Sequence, residues 1–338
     1  MKFHSRSVLI LVLLVLLLVF LFLLNIRLGS VRITFSEMLD HLTGSHLLTD
    51  EQLIILKKIR FPRLVTAMLA GAALPVCGLQ MQTLFRNPLA GPYVLGISSG
   101  ASFGAAVVVL SAGASGMVAS WGLALSSWMG AGLVMILLLF VSMRIKDVMT
   151  ILILGIMFSS GLNAIISIMQ YFSDASALKS FVIWSMGSLG NVTGSQLLMI
   201  SVAVIPVLAG TLFYPKMLNG LVLGEEYALS MGIRIKRSRI IIFATTSILA
   251  GTVTAFCGPI GFIGIAVPHI TRYLLNRADH RILLPATMII GMVIMVISDI
   301  VSRLPGTDRI LPINAVTSLI GIPVVIWLVI LNRKSQAF

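Results

Sequence analysis

Residues 8–24 read VLILVLLVLLLVFLFLL, an apolar run without a single charged residue. An α-helix needs about 20 apolar residues to cross a bilayer. Lys2 and Arg6 precede the run, while Asn25 and Arg27 follow it in place of the small residues of a signal-peptide cleavage site. The stretch therefore predicts an uncleaved first membrane-spanning helix whose N-terminus is cytoplasmic.

The rest of the chain repeats this pattern. Of its 338 residues, 58% are hydrophobic and only 10% are charged, whereas soluble domains carry roughly 25% charged residues. The composition excludes a soluble globular protein, and it also excludes a disordered chain, which combines low hydrophobicity with high charge. We expect an all-α, polytopic membrane protein of about ten transmembrane helices in a single transmembrane domain, 1–338, with both termini cytoplasmic. The nine further apolar segments are 64–84, 94–112, 118–142, 150–171, 196–214, 239–257, 260–275, 283–301 and 313–331.

The net charge of +13 would suit a nucleic-acid-binding protein. The basic residues, however, occur singly or in small groups between the apolar runs, most of them on the predicted cytoplasmic side, as the positive-inside rule requires. The sequence therefore predicts contact with membrane lipid and no contact with nucleic acid.

Three polar stretches stand out between the apolar segments. Residues 29–60 are predicted to be a periplasmic segment whose amphipathic part forms a short interfacial helix. Residues 172–195 are too short to span twice and predict a periplasmic re-entrant or interfacial helix. Residues 215–239 form the largest cytoplasmic segment, and their pattern predicts two short helices that end at Gly232. The apolar residues within 215–239 indicate a docking surface for another subunit, since a solvated loop would not need them.

The sequence offers little support for catalysis, a metal or a cofactor. His269 and His280 have no carboxylate pair or cysteine beside them, and no P-loop motif occurs in the chain. Asp299 is the one acid inside an apolar segment; it favours either a functional role or a helix-face ion pair with Arg303, four residues later. We expect a protein that is not an enzyme and that holds no cofactor.

A series of motifs runs in order from residue 60 to residue 331. The motifs are RFPR at 60–63, AGAAL at 70–74, GLQMQTLFRNPLA at 78–90, LGISSGA at 95–101, WSMGSL at 184–189, GEEYALSMG at 224–232, GPIGFIG at 258–264, PH at 268–269, DHR at 279–281, LPI at 311–313 and GIP at 321–323. Together they resemble the permease subunit of iron–siderophore, haem and cobalamin ABC importers (the FecCD-type, cobalamin-permease-like family). Pro75 and Pro92-Tyr93 are minor departures from the family pattern.

The resemblance implies a homodimer of ten-span subunits in the bacterial inner membrane. It also implies two ATP-binding subunits on the cytoplasmic side, which hydrolyse the ATP, and a soluble substrate-binding protein on the outer side. Iron–siderophore import by alternating access is the predicted function, and haem and cobalamin are alternatives that share the motifs. A stand-alone secondary transporter is a more remote alternative.

The resemblance also suggests roles for residues in three places. Contact with the ATPase is predicted for the coupling segment 215–239, and a cytoplasmic gate close to the dimer axis is predicted for two neighbouring loops. Arginines at the outer face are predicted to receive acidic residues of the binding protein, because a guanidinium is a planar fork suited to carboxylates. The coupling residues are Gly224, Glu225, Glu226, Ala228 and Gly232; the gate residues are Asn87, Leu89, Asp147 and Val148; the docking residues are Arg60, Arg63 and Arg303.

Overall fold

The computed structural model describes residues 5–29, 31, 37, 49–93, 95–111, 117–145, 147–303 and 310–335. Within these ranges the chain forms thirteen helices and no strand. In chain order they are α1 (Ser5–Arg27), α2 (Asp50–Phe85), α3 (Ile97–Ser111), α4 (Met117–Arg144), α5 (Val148–Phe172), α6 (Ala175–Ser185), α7 (Gly194–Thr211), α8 (Pro215–Val222), α9 (Glu225–Ser230), α10 (Ile235–Cys257), α11 (Ile263–Leu275), α12 (His280–Ser302) and α13 (Ile313–Ser335).

The all-helical, polytopic architecture predicted from composition is confirmed. Seven helices (α1, α2, α4, α5, α7, α10 and α12) are long and apolar enough to cross a membrane. The other three predicted segments correspond to the shorter helices α3 and α11 and to α13. The turn expected between 257 and 262 is present, because α10 ends at Cys257 and Gly258 has a φ of 72°. Ten spans and cytoplasmic termini stay predictions.

Helix α2 begins earlier than the apolar run 64–84. One continuous helix starts at Asp50 behind a capping box of Thr49 and Gln52 and takes in residues 50–60 of the segment predicted to be periplasmic. Residues 55–60 form a wide π-helical turn in which the N–H of Phe61 bonds to the carbonyl of Leu56. This wide turn accommodates Pro62, whose ring would otherwise collide with the preceding helical turn. Residues 30, 32–36 and 38–48 of the predicted periplasmic segment lie outside the described residues.

Helix α2 lies at the centre of the bundle. In an apolar 18-residue stretch of α2, 89% is buried inside the bundle, whereas only 11% is buried in the corresponding stretch of α1. It packs against α7, α10, α11 and α12, and Leu64, Leu74 and Leu79 are fully buried in the shared core.

Glycines allow α2 to cross two neighbours at very short range. A Cβ added at Gly78 would lie 1.5 Å from the carbonyl oxygen of Gly264 in α11. A Cβ at Gly291 of α12 would lie 2.0 Å from the carbonyl oxygen of Gly71. Since no side chain fits in either place, these crossings depend on glycine, as close helix packing in membranes generally does.

The bundle has two distinct ends. The Gly224 end carries the last residues of α2 and α4, residues 215–232 and the start of α12, which hydrogen bonds connect to one another. The Arg63 end carries the end of α1, the region of Arg60 and Arg63 and the end of α12.

Candidate functional site

Residues 215–232 at the Gly224 end fold into the two short helices α8 and α9. Gly224 separates them with a φ of 109°, and Gly232 follows them with a φ of 79°. Both values lie in the left-handed region that favours glycine. The N–H of Ile233 bonds to the carbonyl oxygen of Ala228 at 2.9 Å, which closes the segment behind α9. The helices and the glycine stop expected from sequence are therefore present.

This helix pair has one buried and one exposed apolar side. Leu218, Leu221 and Ala228 are buried against the bundle. Exposed apolar side chains cover the other side and form what we call the docking surface: Val222, Leu223, Tyr227, Leu229 and Met231, each between 41% and 58% exposed. Adjacent exposed apolar side chains are typical of surfaces that contact another molecule.

An ion pair ties α9 to the bundle. Glu225 accepts hydrogen bonds from Nε and Nη2 of Arg239 in α10, at 3.2 and 2.7 Å. The same guanidinium donates through Nη1 to the carbonyl oxygen of Ile145, at 3.1 Å. Arg239 therefore connects the coupling segment to the loop between α4 and α5, and its side chain is 6% exposed.

A second set of hydrogen bonds ties α8 to the start of α12. Asn219 donates to Asp279 at 2.7 Å, and its Oδ1 accepts from the backbone N–H of His280 at 2.9 Å. The imidazole of His280 lies between two partners, with Nδ1 2.7 Å from the same Asn219 oxygen and Nε2 2.9 Å from the hydroxyl of Thr83 in α2. Burial raises the pKa of Asp279, but hydrogen bonds from the N–H of Arg281 and from Asn219, with the nearby positive charges, outweigh it and lower the pKa below its usual value.

The predicted gate residues lie in two loops at this end. Asn87 accepts the N–H of Leu89 at 2.9 Å, so its side chain closes the turn after α2, while Leu89 is 47% exposed. Asp147 caps α5 by accepting the N–H groups of Met149 and Thr150. Bonds from the Thr150 hydroxyl and backbone N–H lower the pKa of Asp147. Val148 begins α5, and its side chain lies outside the described residues.

Two of the three predicted docking arginines, Arg63 and Arg303, pair with Asp299 at the Arg63 end, where this carboxylate is fully buried. Arg63 donates to Asp299 at 2.6 Å and to Ser302 at 2.9 Å. Arg303 donates to the second carboxylate oxygen at 2.6 Å and to Asn25 of α1 at 2.5 Å.

Arg60 contacts the end of α1 instead, where its guanidinium donates to the carbonyl oxygens of Ile26 and Val31. Arg60 and Arg63 are only 4% and 7% exposed. The structure therefore brings the three arginines together, but much of their hydrogen-bonding capacity is directed inward.

A profile of the FecCD transport family matches residues 17–331 of the chain. The chain belongs to this family. The resemblance seen in the sequence motifs is thereby confirmed, and this FecCD member is a membrane permease related to ABC importers.

Two relatives of this FecCD member are vitamin B12 import system permease proteins named BtuC. The protein from Klebsiella pneumoniae is 38% identical over 290 residues, 86% of each chain. The protein from Salmonella typhimurium is 36% identical over 277 residues, 82% of this chain and 84% of the relative.

Solved structures agree with the fold of the FecCD member. An ABC transporter assigned to the metal-chelate type, captured in an inward-facing conformation, has a TM-score of 0.83 at 30% identity and covers 95% of this chain and 98% of its own. PsaBC from Streptococcus pneumoniae, in complex with Fab, has a TM-score of 0.56 at 15% identity over 86% of this chain and 94% of its own, which supports the fold alone.

Asn219 and Arg239 hold residues 215–232 in place, but neither was predicted from sequence. Arg239 is one of four basic residues between Gly232 and residue 240, and nothing in its local sequence distinguishes it from the others. Asn219 gave no signal, because its partners at 279 and 280 lie 60 and 61 residues away.

Proposed function

We propose that this FecCD permease is a ten-span subunit that works as a homodimer in the bacterial inner membrane. Two ATPase subunits bind at the Gly224 end, which faces the cytoplasm, and a soluble binding protein delivers the cargo at the opposite end. The observation that carries this proposal is the docking surface on α8 and α9, an exposed apolar patch held rigidly by Arg239 and Asn219. Closure of the ATPase subunits moves this segment and drives alternating access.

The test is reconstitution in proteoliposomes with the ATPase and the binding protein. We expect cargo uptake that requires ATP and both partners. Uptake by the permease alone, driven by an ion gradient, would instead establish the secondary-transporter alternative.

For the cargo we propose a metal chelate. Cobalamin is the first to test, because both relatives compared above carry the name of vitamin B12 permeases. Iron–siderophore, predicted from sequence, and haem are the other cargoes. Uptake of labelled cobalamin, a ferric siderophore and haem, each with its binding protein, distinguishes the three, and the cargo taken up in an ATP-dependent manner is the substrate.

For the gate we propose that two copies of Leu89 narrow the pathway at the dimer axis, with Asn87 holding their loop and with Asp147 and Val148 from the next loop alongside. An apolar constriction of this kind closes by dewetting. Cysteines at 87 or 89 should cross-link across the dimer in the inward-closed state only. Both native cysteines are buried, so the background is low, and cross-linking that ignores nucleotide would contradict the gate.

For the binding protein we propose docking at the Arg63 end, with Arg60, Arg63 and Arg303 attracting its acidic residues. Reversing Arg63 would oppose the buried Asp299, so the informative change is Arg60→Gln, which removes the charge without introducing an acid. Ion pairs at protein surfaces contribute about 0–1 kcal/mol, and Arg60 already donates to two backbone carbonyls, so affinity should fall by up to about fivefold at low salt. Unchanged affinity beside a Lys58→Gln control would count against the contact.

A further inference from the structure

A basic cleft lies beside the docking surface at the Gly224 end. Its volume is about 320 Å³, and it is bounded by the end of α2, the end of α8 and the loop between α11 and α12. Arg86 and Arg272 line it together with Gln82, Asn87 and His280. None of the described residues that line the cleft carries a carboxylate.

The two guanidiniums occupy different depths of the cleft. Arg272 is partly buried and donates to Oε1 of Gln82 at 2.6 Å. Arg86 is exposed, and its guanidinium lies against Gly224, where an added Cβ would be 3.4 Å from Nη1. Neither arginine forms a salt bridge with any residue in the described part of the chain.

The acids that neighbour the cleft in the sequence do not pair with its arginines. Asp279 lies next to the cleft-lining residues Ala278 and His280, but its Oδ1 accepts Asn219 at 2.7 Å and the N–H of Arg281 at 3.0 Å. Glu225, which follows Gly224, pairs with Arg239, and Glu226 forms no ion pair within the described part of the chain. The cleft therefore presents two positive charges to an outside anion, and a partly desolvated guanidinium is stabilised by a charged acceptor.

The position of the cleft indicates the source of that anion. Val222 lines the cleft and also belongs to the docking surface, so a protein that covers α8 and α9 must also cover the cleft mouth. We propose that the cleft receives a carboxylate side chain of the ATPase subunit. The proposal rests on the function proposed above and adds a charged contact to an interface that is otherwise apolar.

This contact reaches the predicted gate. Arg86 ends α2 with a left-handed φ of 47° and is followed directly by Asn87 and Pro88, which also line the cleft. A carboxylate held between Arg86 and Arg272 would therefore fix the start of the gate loop against α11 whenever the ATPase is docked.

The test places lysine at each arginine of the cleft. In the assembled complex, Arg86→Lys and Arg272→Lys are treated with a carbodiimide, which couples an amine directly to a carboxylate in contact with it. We expect a covalent permease–ATPase product whose peptides join position 86 or 272 to an Asp or Glu of the ATPase. The matched control is Arg277→Lys, because Arg277 is exposed in the same loop but does not line the cleft.

A charge swap provides a second measurement. Arg86→Glu should weaken ATPase binding by about tenfold or more, as loss of a close interfacial charge pair does. Replacing the mapped acid of the ATPase by lysine should restore binding. If Arg86→Glu does not fold, Arg86→Gln with the same acid reports the loss without reversal.

Three results would overturn the proposal. The first is an active complex that gives no more cross-linked product than the Arg277→Lys control, and the second is a cross-link that joins two permease copies. The third is a charge swap that does not restore ATPase binding. A permease that assembles with no ATPase would overturn the proposed function as well. An active complex without the cross-link would overturn this contact alone.

Discussion

Asp299→Asn tests whether the buried carboxylate holds the Arg63 end together. Asp299 is fully buried and receives two guanidiniums at 2.6 Å and Asn25 at 2.9 Å. Asparagine keeps the shape but removes the charge, so Arg63 and Arg303 would share a neutral amide. Breaking one buried ion pair costs about 3–5 kcal/mol, and here one carboxylate serves two partners. We therefore expect a loss of about 3–5 kcal/mol in the free energy of unfolding.

The measurement is reversible unfolding of the purified permease in mixed micelles of mild detergent and SDS, followed by tryptophan fluorescence. Asp174→Asn is the matched control, because Asp174 is exposed and its side chain makes no capping bond. Ser302→Ala removes a hydroxyl that accepts from Arg63 and donates to the backbone carbonyl of Asp299, and it should cost about 1 kcal/mol per bond.

A loss for Asp299→Asn below about 1 kcal/mol, or equal to that of the Asp174 control, would refute the reasoning. Unchanged stability with abolished transport would instead establish the functional role that the sequence left open for this acid.

Three further outcomes are expected. Gly291→Leu should destabilise the fold by more than the usual 1–3 kcal/mol of overpacking, because the new Cβ would collide with the backbone carbonyl of Gly71. Gly132→Leu should not, because nothing lies within 4 Å of a Cβ at that position. Equal losses in the unfolding assay would contradict this. Gly232→Val strains a left-handed turn and Ala228→Leu overfills a buried position, so both should distort this short segment and uncouple ATP hydrolysis from uptake while the spanning helices still fold. Normal coupling in both would exclude a role for this turn. Because the folded protein lowers the pKa of Asp147, the charged carboxylate stabilises the fold at pH values above its ordinary pKa of 3.8, and this stabilisation is lost as the pH falls through the lower pKa of the folded state. The difference in stability between the parent protein and Asp147→Asn should therefore vanish at low pH. A difference that does not depend on pH would contradict this.

The positions of most helices were predictable because the apolar runs of this chain are long and well separated. The break at Gly258-Pro259 was also readable, since glycine and proline act locally. The fusion of residues 50–60 with α2 was not, because Pro62 normally argues for a helix start, and only a widened turn accommodates it.

The candidate site was predictable where its signal was local. The apolar residues of 215–239 indicated a docking surface, and the spacing of Asp299 and Arg303 made their ion pair one of two interpretations. Arg63 lies 236 residues from Asp299, so nothing in the sequence connected them. The bond from Arg63 to Asp299 was therefore not predicted.

The hydrogen bond between Asn25 and Asp299 also constrains the order in which the protein is made. The two residues are 274 positions apart, so at about 5–20 residues per second the carboxylate is synthesised about 14–55 s after the amide. During that interval α1 and α2 enter the bilayer with Asn25 and Arg63 unpaired. The hydrogen bond that joins the end of α1 to α12 can therefore form only after nearly the whole chain has been synthesised.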